Sequence, residues 1–218
     1  LEHETLLANL TVNWDLSDNV SLRSITGYID HDATTDFEAD TTGYPYNNAD
    51  GFVRPSESFS QELMLIGTSG SLDWIVGAFY YEEDFQNTLP VVFPSGIPGA
   101  LPPGTVINLN LSKEDTQSWA LFADVTWSVT DRFRINAGLR QNDEQKDFVW
   151  RLGVIIPGLG NVGAPTENSS LDSDELLPKL GVHFDISDEI SVYAQYQRGF
   201  KAGGHDIATP TTFRPEKL

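Results

Sequence analysis

Acidic and aromatic side chains are concentrated early in the chain, where together they could bind a cation or a ring-containing ligand. The cluster consists of Asp30, His31, Asp32, Asp36, Glu38 and Asp40, followed by Tyr44, Tyr46 and Asn47. Carboxylate oxygens can hold Ca²⁺, and exposed rings can stack on a chelate or a sugar. The spacing fits no EF-hand loop, so we predict no metal site, and a solvated acidic loop is the simpler interpretation. Asp36, Tyr44 and Tyr46 remain candidate ligand contacts.

Two histidines lie close to carboxylates and could take part in acid–base chemistry. His183 is followed by Asp185, and His205 is followed by Asp206. No Ser nucleophile accompanies either pair in a recognisable motif, and the chain contains no cysteine. The segment G-F-K-A-G-G at 199–204 lacks the Lys-Ser/Thr order of a phosphate-binding loop. The sequence therefore predicts no catalytic residue, no cofactor and no enzymatic activity.

The chain is strongly acidic, and this charge limits its partners. Its 218 residues include 32 acidic and 13 basic side chains, giving a formal net charge of -19. Such a surface repels the phosphates of nucleic acid, so we predict no nucleic-acid partner. It suits solubility, divalent cations, and cationic or metal-chelate ligands.

A repeated pattern shows which elements position these side chains. It reads W-D-L-S-D-N-V-S-L at 14–22, W-S-V-T-D-R-F-R-I at 127–135 and F-D-I-S-D-E-I-S-V at 184–192. Each copy predicts a tight turn between two strands, in which Ser, Thr and Asp side chains bond to nearby backbone groups. A further tight turn is predicted at 68–71, with the others near 15–19, 129–132 and 187–189. About eight strands are predicted, over 4–14, 20–32, 57–67, 72–86, 115–128, 133–148, 175–186 and 190–201.

Long connections alternate with these tight turns. They are predicted near 33–56, 87–114 and 149–174, the second because several prolines lie in an uncharged stretch from 86 to 112. Alternating short and long connections are typical of an outer-membrane β-barrel with short periplasmic turns and long extracellular loops. No apolar run of about 20 residues exists, so a transmembrane helix is excluded. We predict an all-β, antiparallel, up-and-down transmembrane barrel segment.

The fifth predicted strand has one apolar face. Trp119 and Trp127 both point to this face. They lie about 26 Å apart, because a strand rises roughly 3.3 Å per residue. With a strand tilt of about 40°, this separation becomes about 20 Å, close to the ~25 Å apolar band of such barrels. We predict that these two residues, with Trp14 and Phe133, form an aromatic girdle against outer-membrane lipid. Strands that are apolar on both faces leave a soluble β-sandwich open as an alternative.

Basic residues are expected on both faces of the predicted barrel. Three of them alternate with the apolar residues of their strands and therefore point to the other face: Arg134, Arg140 and Lys179. We predict that they face the lumen, where an anionic chelate or another domain could contact them. Arg198 has the lipid-facing parity near the outer end of the last strand, where it could contact lipopolysaccharide phosphate.

The position of the chain ends predicts a partial domain. The chain begins at the long-loop end of its first strand and finishes in another long-loop segment, whereas a complete bacterial barrel normally keeps both termini in the periplasm. We therefore expect residues 1–218 to be part of a larger barrel that lacks a plug domain and the closing C-terminal strands.

Several stretches together resemble the barrel domain of TonB-dependent outer-membrane receptors over essentially the full chain. They are S-I-T-G-Y at 24–28, F-S-Q-E-L at 59–63, L-D-W-I-V-G-A-F-Y at 72–80, A-L-F-A-D-V-T at 120–126, A-G-L-R at 137–140, P-K-L-G at 178–181, Y-A-Q-Y-Q-R-G-F-K-A-G-G at 193–204 and F-R-P-E-K-L at 213–218. Each stretch is weakly specific, but their common order at hairpin spacing is a strong signal.

The resemblance implies a barrel of about 22 strands, plugged by an N-terminal domain. It further implies uptake of a scarce nutrient, most often a ferric siderophore and otherwise haem, cobalamin or a glycan, energised by TonB through an N-terminal region not present here. Outer-membrane lipid, lipopolysaccharide and a small chelate or glycan are the expected partners. Two alternatives remain: a small eight-stranded barrel for anchoring or adhesion, and a secreted carbohydrate-binding β-sandwich.

Overall fold

The computed structural model describes residues 2–38, 48–164, 166–206 and 211–217, and these ranges contain strands and turns but no helix. No helix in these ranges could therefore span a membrane. The strands are β1 (Glu2–Ser17), β2 (Val20–Glu38), β3 (Asn48–Val53), β4 (Ser56–Ser69), β5 (Leu72–Phe93), β6 (Thr105–Thr130), β7 (Phe133–Ile156), β8 (Gly160–Asn161), β9 (Glu167–Asp185), β10 (Ser191–Gln197), β11 (Phe200–Lys201), β12 (Gly204–His205), β13 (Thr212–Phe213) and β14 (Glu216–Lys217).

One antiparallel sheet contains all the long strands. Its order is β1-β2-β3-β5-β6-β7-β9-β10, with β4 pairing to β2 and β5, and β8 pairing to β7. Strands β3 and β4 both lie between β2 and β5 and pair with different parts of these two strands. The sheet is therefore an up-and-down meander. Two small pairs, β11–β14 and β12–β13, lie in the C-terminal segment. The predicted all-β antiparallel fold is confirmed.

The repeated pattern forms tight turns, as predicted. Its hydroxyl residue accepts a hydrogen bond from the backbone N–H two positions on in each copy: Asn19 to Ser17 Oγ at 3.4 Å, Arg132 to Thr130 Oγ1 at 3.3 Å and Glu189 to Ser187 Oγ at 3.3 Å. Thr130 Oγ1 also accepts a 3.0 Å bond from the Phe133 N–H. At the remaining tight turn, Gly70 adopts φ of 61°, which glycine allows without steric cost.

The strands extend further toward the long connections than predicted. The predicted loop 87–114 is largely strand, because β5 continues to Phe93 and β6 begins at Thr105. Pro90 is tolerated because the register shifts between Leu89 and Pro90, and a proline is accommodated at such an irregularity. The predicted loops 33–56 and 149–174 are also shortened by ordered strand, whereas the last predicted strand is shorter and ends at Gln197.

The two faces of the sheet have opposite polarity, and the apolar face is the more exposed. On β6, Trp119 and Leu121 are 45% and 57% exposed, whereas Ser118 and Ala120 on the opposite face are 7% and 1% exposed. A soluble sandwich would bury its large apolar side chains, and contiguous exposed apolar surface marks an interaction with lipid or protein. This polarity is the one that a membrane barrel requires.

The turn hydroxyls provide a test of local stability. We expect Thr130→Val to remove the acceptor of two backbone N–H groups and to lower the free energy of unfolding by about 0.5–1.5 kcal/mol. Thr130→Ser retains the hydroxyl and should retain most of the stability. Urea unfolding of the two variants in lipid vesicles measures the difference, and equal stability of Thr130→Val and the wild type would contradict this role.

Candidate functional site

The polar face of the sheet carries a network of ion pairs near the tight-turn end. Lys179 Nζ lies 2.5 Å from Asp124 Oδ2, and Arg134 Nη2 lies 3.0 Å from Asp185 Oδ2. His183 Nε2 lies 2.8 Å from the other oxygen of Asp185. These contacts join β6, β7 and β9, so these charged groups of the wall are matched to each other.

A glycine makes the Lys179–Asp124 pair possible. In the sheet register Gly138 lies directly between Asp124 on β6 and Lys179 on β9. A Cβ at position 138 would lie 2.5 Å from Asp124 Oδ2 and 3.2 Å from Lys179 Cε. The missing side chain therefore provides the space through which the lysine crosses β7.

Arg140 differs from the other basic residues on this face. Its guanidinium carbon lies 5.6 Å from the Phe79 ring centre and 5.7 Å from the Phe122 ring centre, within cation–π range. Among the described residues, its guanidinium donates a 3.3 Å hydrogen bond to Asn142 Oδ1. No carboxylate among the described residues pairs with it, so its charge is held by aromatic rings and is available to an external anion.

The three predicted lumen-facing cations therefore differ in how their charges are paired. Arg134, Arg140 and Lys179 all lie on the polar face with Asp124. Arg134 and Lys179 are neutralised by carboxylates of the wall itself, which reduces their value as contacts for a ligand. Arg140 is the one of the three without such a partner in the part of the chain that is described.

The prediction for Arg198 was wrong. Strand β10 ends at Gln197, so the alternation of faces no longer applies to the next residue. Arg198 Nη2 lies 3.6 Å from Glu175 Oε2, and Glu175 is a buried carboxylate on the polar face. Lys217 Nζ also pairs with Glu175. Arg198 therefore helps to hold the C-terminal segment against the inside of the sheet instead of pointing to lipopolysaccharide.

The four predicted girdle residues share the apolar face. Trp14, Trp119 and Trp127 are exposed, and Phe133 is half-buried with its ring 6.4 Å from that of Phe184 in an edge-to-face contact. Tyr80, which pairs with Trp119 in the register, belongs to the same face and was missed. The sequence could have indicated this, because Tyr80 and Trp74 are an even number of residues apart on one strand and therefore point to the same face. The membrane role of these residues remains a prediction.

The predicted ligand contacts of the first long connection are only partly described. Asp36 Oδ1 accepts a 2.6 Å hydrogen bond from the Gly51 N–H, which joins β2 to β3. Tyr44 and Tyr46 lie outside the described residues. Asp36 thus has a structural contact, and its role in binding a ligand remains a prediction.

Several acidic residues lie on the same side of the sheet as Trp119, further toward the long connections. They border an open depression of about 430 Å³ and include Glu57, Glu82, Asp84, Asp115 and Asp147. Lys113 Nζ lies 2.8 Å from Asp84 and 3.0 Å from Asp115, and hydrogen bonds to these carboxylates raise the pKa of Lys113. Within the described ranges, no group of three His, Cys, Asp or Glu side chains is arranged to hold a metal ion.

His205 is a buried residue that the sequence placed in a loop. Its Nδ1 lies 3.0 Å from Glu114 Oε2, and its ring stacks on Phe148 at 4.5 Å between centres. Glu114 and Phe148 are paired residues of β6 and β7 on the polar face. No local pattern around His205 indicated this long-range contact, because its partners lie on distant strands.

The fold and the distribution of polarity are those of a wall segment of a membrane β-barrel. Residues 2–217 match the family described as TonB dependent receptor-like, beta-barrel. The chain belongs to this family, which consists of outer-membrane receptors and not enzymes. The predicted resemblance, fold class and outer-membrane location are thereby confirmed.

The chain is similar to known receptors both in sequence and in structure. The chain is 25% identical over 91 residues to the pesticin receptor of Yersinia pestis, an alignment that covers 42% of this chain and 13% of that receptor. The crystal structure of the ferric yersiniabactin uptake receptor FyuA from Yersinia pestis superimposes with a TM-score of 0.75 at 18% identity, covering 99% of this chain and 31% of that one.

Two further structures are similar. The ferric-catecholate import receptor Fiu from E. coli K12 gives a TM-score of 0.65 at 16% identity, with 90% of this chain and 35% of that chain covered. The siderophore receptor PiuA from Acinetobacter baumannii gives 0.65 at 16% identity, with 91% and 32% covered. At these identities the likeness shows the fold alone, and the chain spans about a third of each receptor's length.

Gly138 provides a test of the ion-pair network. We expect Gly138→Ala to displace Lys179 or Asp124 and to destabilise the barrel by about 1–3 kcal/mol, the usual cost of overpacking. Gly181→Ala is the matched control on the same face, because a Cβ there would have its nearest neighbour at 3.6 Å. Urea unfolding in lipid vesicles compares the variants, and equal losses would contradict the role assigned to Gly138.

Proposed function

We propose that this chain forms part of the wall of an outer-membrane receptor that takes up a ferric siderophore with energy supplied through TonB. Family membership across residues 2–217 carries the proposal. Three structural neighbours support the ligand class, since they are a ferric yersiniabactin uptake receptor, a ferric-catecholate import receptor and a siderophore receptor. A glycan is the alternative ligand. We propose that a plug domain and the remaining strands belong to parts of the receptor beyond this chain.

The two faces of the sheet would have different roles within that receptor. The apolar face, with Trp119 and Trp127, would contact lipid, and lipopolysaccharide would lie beyond Trp119 toward the long connections. The polar face would line the lumen. Two of its cations, Lys179 and Arg134, are paired with the carboxylates of Asp124 and Asp185, so these charges of the wet, polar lumen would be compensated within the wall. The segment would bind neither nucleic acid nor a cofactor, and would catalyse no reaction.

Arg140 is the proposed contact for an anion in the lumen. Lys179 and Arg134 have carboxylate partners at 2.5 and 3.0 Å, whereas Arg140 lies between the Phe79 and Phe122 rings. Aromatic rings hold a guanidinium in place without satisfying its donors, so a bidentate acceptor can still bind. A carboxylate of the plug domain or of an anionic chelate has the required chemistry.

Uptake of labelled iron tests the proposed function. Deletion of the parent gene should abolish uptake of at least one ⁵⁵Fe-loaded siderophore from a panel of catecholates, hydroxamates and mixed chelates. Removal of TonB should have the same effect, and expression of the complete receptor from a plasmid should restore uptake. Unchanged uptake and growth under iron limitation across the whole panel would contradict a siderophore receptor.

Substitution of Arg140 tests its proposed contact in the complete receptor. We expect Arg140→Ala to lower the rate of ⁵⁵Fe-siderophore uptake by at least about tenfold, because a charge-assisted hydrogen bond is lost. Lys146→Ala is the matched control on the same face, since Lys146 pairs with Glu144 at 3.4 Å. Receptor abundance in the outer membrane is measured in parallel. Wild-type uptake by Arg140→Ala at equal abundance would rule out this contact.

A further inference from the structure

After β10 the chain leaves the large sheet and folds into a hairpin. Strand β11 pairs with β14 and β12 pairs with β13, as small sheets separate from the large one. The Asp206 N–H also donates a 2.9 Å hydrogen bond to the Thr211 carbonyl oxygen. The described residues of this C-terminal hairpin are 198–206 and 211–217. Its two arms are therefore paired with each other, and side chains attach it to the polar face.

One carboxylate holds the base of the hairpin. Arg198 and Lys217, at its two ends, both pair with Glu175, and Arg198 Nη2 lies 3.6 Å from Glu175 Oε2. The Glu175 side chain is 9% exposed, whereas those of Arg198 and Lys217 are 39% and 51% exposed. Ion pairs that water reaches contribute little to stability, because hydration replaces them at small cost. The base can therefore detach from the sheet without leaving a cation buried.

His205 attaches the hairpin at a second point. Its Nδ1 lies 3.0 Å from Glu114 Oε2, and its ring stacks on that of Phe148 with the centres 4.5 Å apart. The described residues of the other arm, 211–217, are all exposed, and His205 is the one buried side chain within the described part of the hairpin. A two-stranded hairpin is marginally stable alone, and an element with few buried apolar contacts opens readily. The hairpin can therefore leave the polar face while the barrel stays folded.

The two attachment points define the path of the hairpin along the wall. Glu175 lies in the same cross-strand row as Ala120 of β6. Glu114 is six residues from Ala120 toward the long connections, or about 20 Å at roughly 3.3 Å per residue. The seven residues from Arg198 to His205 can span at most about 25 Å. This arm is therefore nearly extended, and it lies along the polar face between the two points.

This path places the hairpin between the long connections and Arg140. Arg140 pairs with Leu177 of β9, two residues from Glu175 toward the tight turns. A ligand that entered from the long connections along this wall would meet the hairpin before it met Arg140. We propose that the C-terminal hairpin is a gate in the lumen, which must leave the polar face before an anionic ligand can reach Arg140. The gate rests on the proposed uptake function and adds a moving element to it.

Locking the hairpin to the sheet in the complete receptor tests the gate. The chain contains no cysteine, so Glu114→Cys with His205→Cys introduces one pair of thiols at a contact between sheet and hairpin. A bis-methanethiosulfonate linker with a propane spacer joins the thiols through disulfides that dithiothreitol cleaves. We expect linking to lower the rate of ⁵⁵Fe-siderophore uptake at least about tenfold, because the gate can no longer open, and cleavage to restore it.

A matched pair of cysteines controls for the linker itself. Lys201→Cys with Glu216→Cys lies on paired residues of the two arms, so the same linker joins the arms to each other and leaves the hairpin free of the sheet. This receptor should import iron at the wild-type rate, and linker-treated wild type should do the same. If the first pair fails to reach the outer membrane, Glu175→Cys with Lys217→Cys provides a second lock between hairpin and sheet.

Two results would overturn the gate and leave the proposed function intact. The first is wild-type uptake by the locked receptor when mass spectrometry shows complete linking, which would make the hairpin a fixed part of the wall. The second is an equal loss of uptake in the locked receptor and in the control with linked arms, since the loss would not depend on attachment to the sheet. A receptor that imports no siderophore before linking would contradict the uptake function, and the gate with it.

Discussion

The structure depends on the pairing of every backbone polar group within the membrane. Inside lipid there is no water to accept or donate hydrogen bonds, so strands span only when each is paired along its length with both neighbours. The continuous register from β4 through β9 meets this demand over the membrane-crossing portions. Once the register is fixed, the side of the sheet on which each residue lies is fixed too, because side chains alternate with a period of two.

That alternation explains why charged residues of the wall are paired to each other. A cation or carboxylate on the polar face is partly removed from water, where an unpaired charge is costly. The pairs of Lys179 with Asp124 and of Arg134 with Asp185 reduce this cost. The first pair forms across the intervening strand β7 because Gly138 has no side chain to block it. Arg140 is stabilised differently, by two aromatic rings that leave its donors available.

The sequence predicted the features that depend on local chemistry. The hydroxyl at the same place in the repeated pattern predicted three tight turns, because Ser17, Thr130 and Ser187 bond to the backbone within their own turn. The parity of the strands likewise predicted the shared face of Arg134, Arg140 and Lys179. Strand ends were predicted less well, since Pro90 argues against a strand unless a register shift accommodates it, and such a shift depends on the neighbouring strand.

Long-range contacts are the part that local patterns could not predict. The positions of Arg198 and His205 depend on how the C-terminal segment crosses the sheet, and their partners Glu175 and Glu114 lie on strands far away in sequence. Parity fails for Arg198 because the strand ends one residue earlier. The crossing has a further physical consequence: it brings an imidazole into a row of buried polar groups contributed by β5, β6 and β7. Regular pairing satisfies the backbone of those strands but not these side chains, so the chemistry of that patch depends on tertiary contacts such as that of His205 with Glu114.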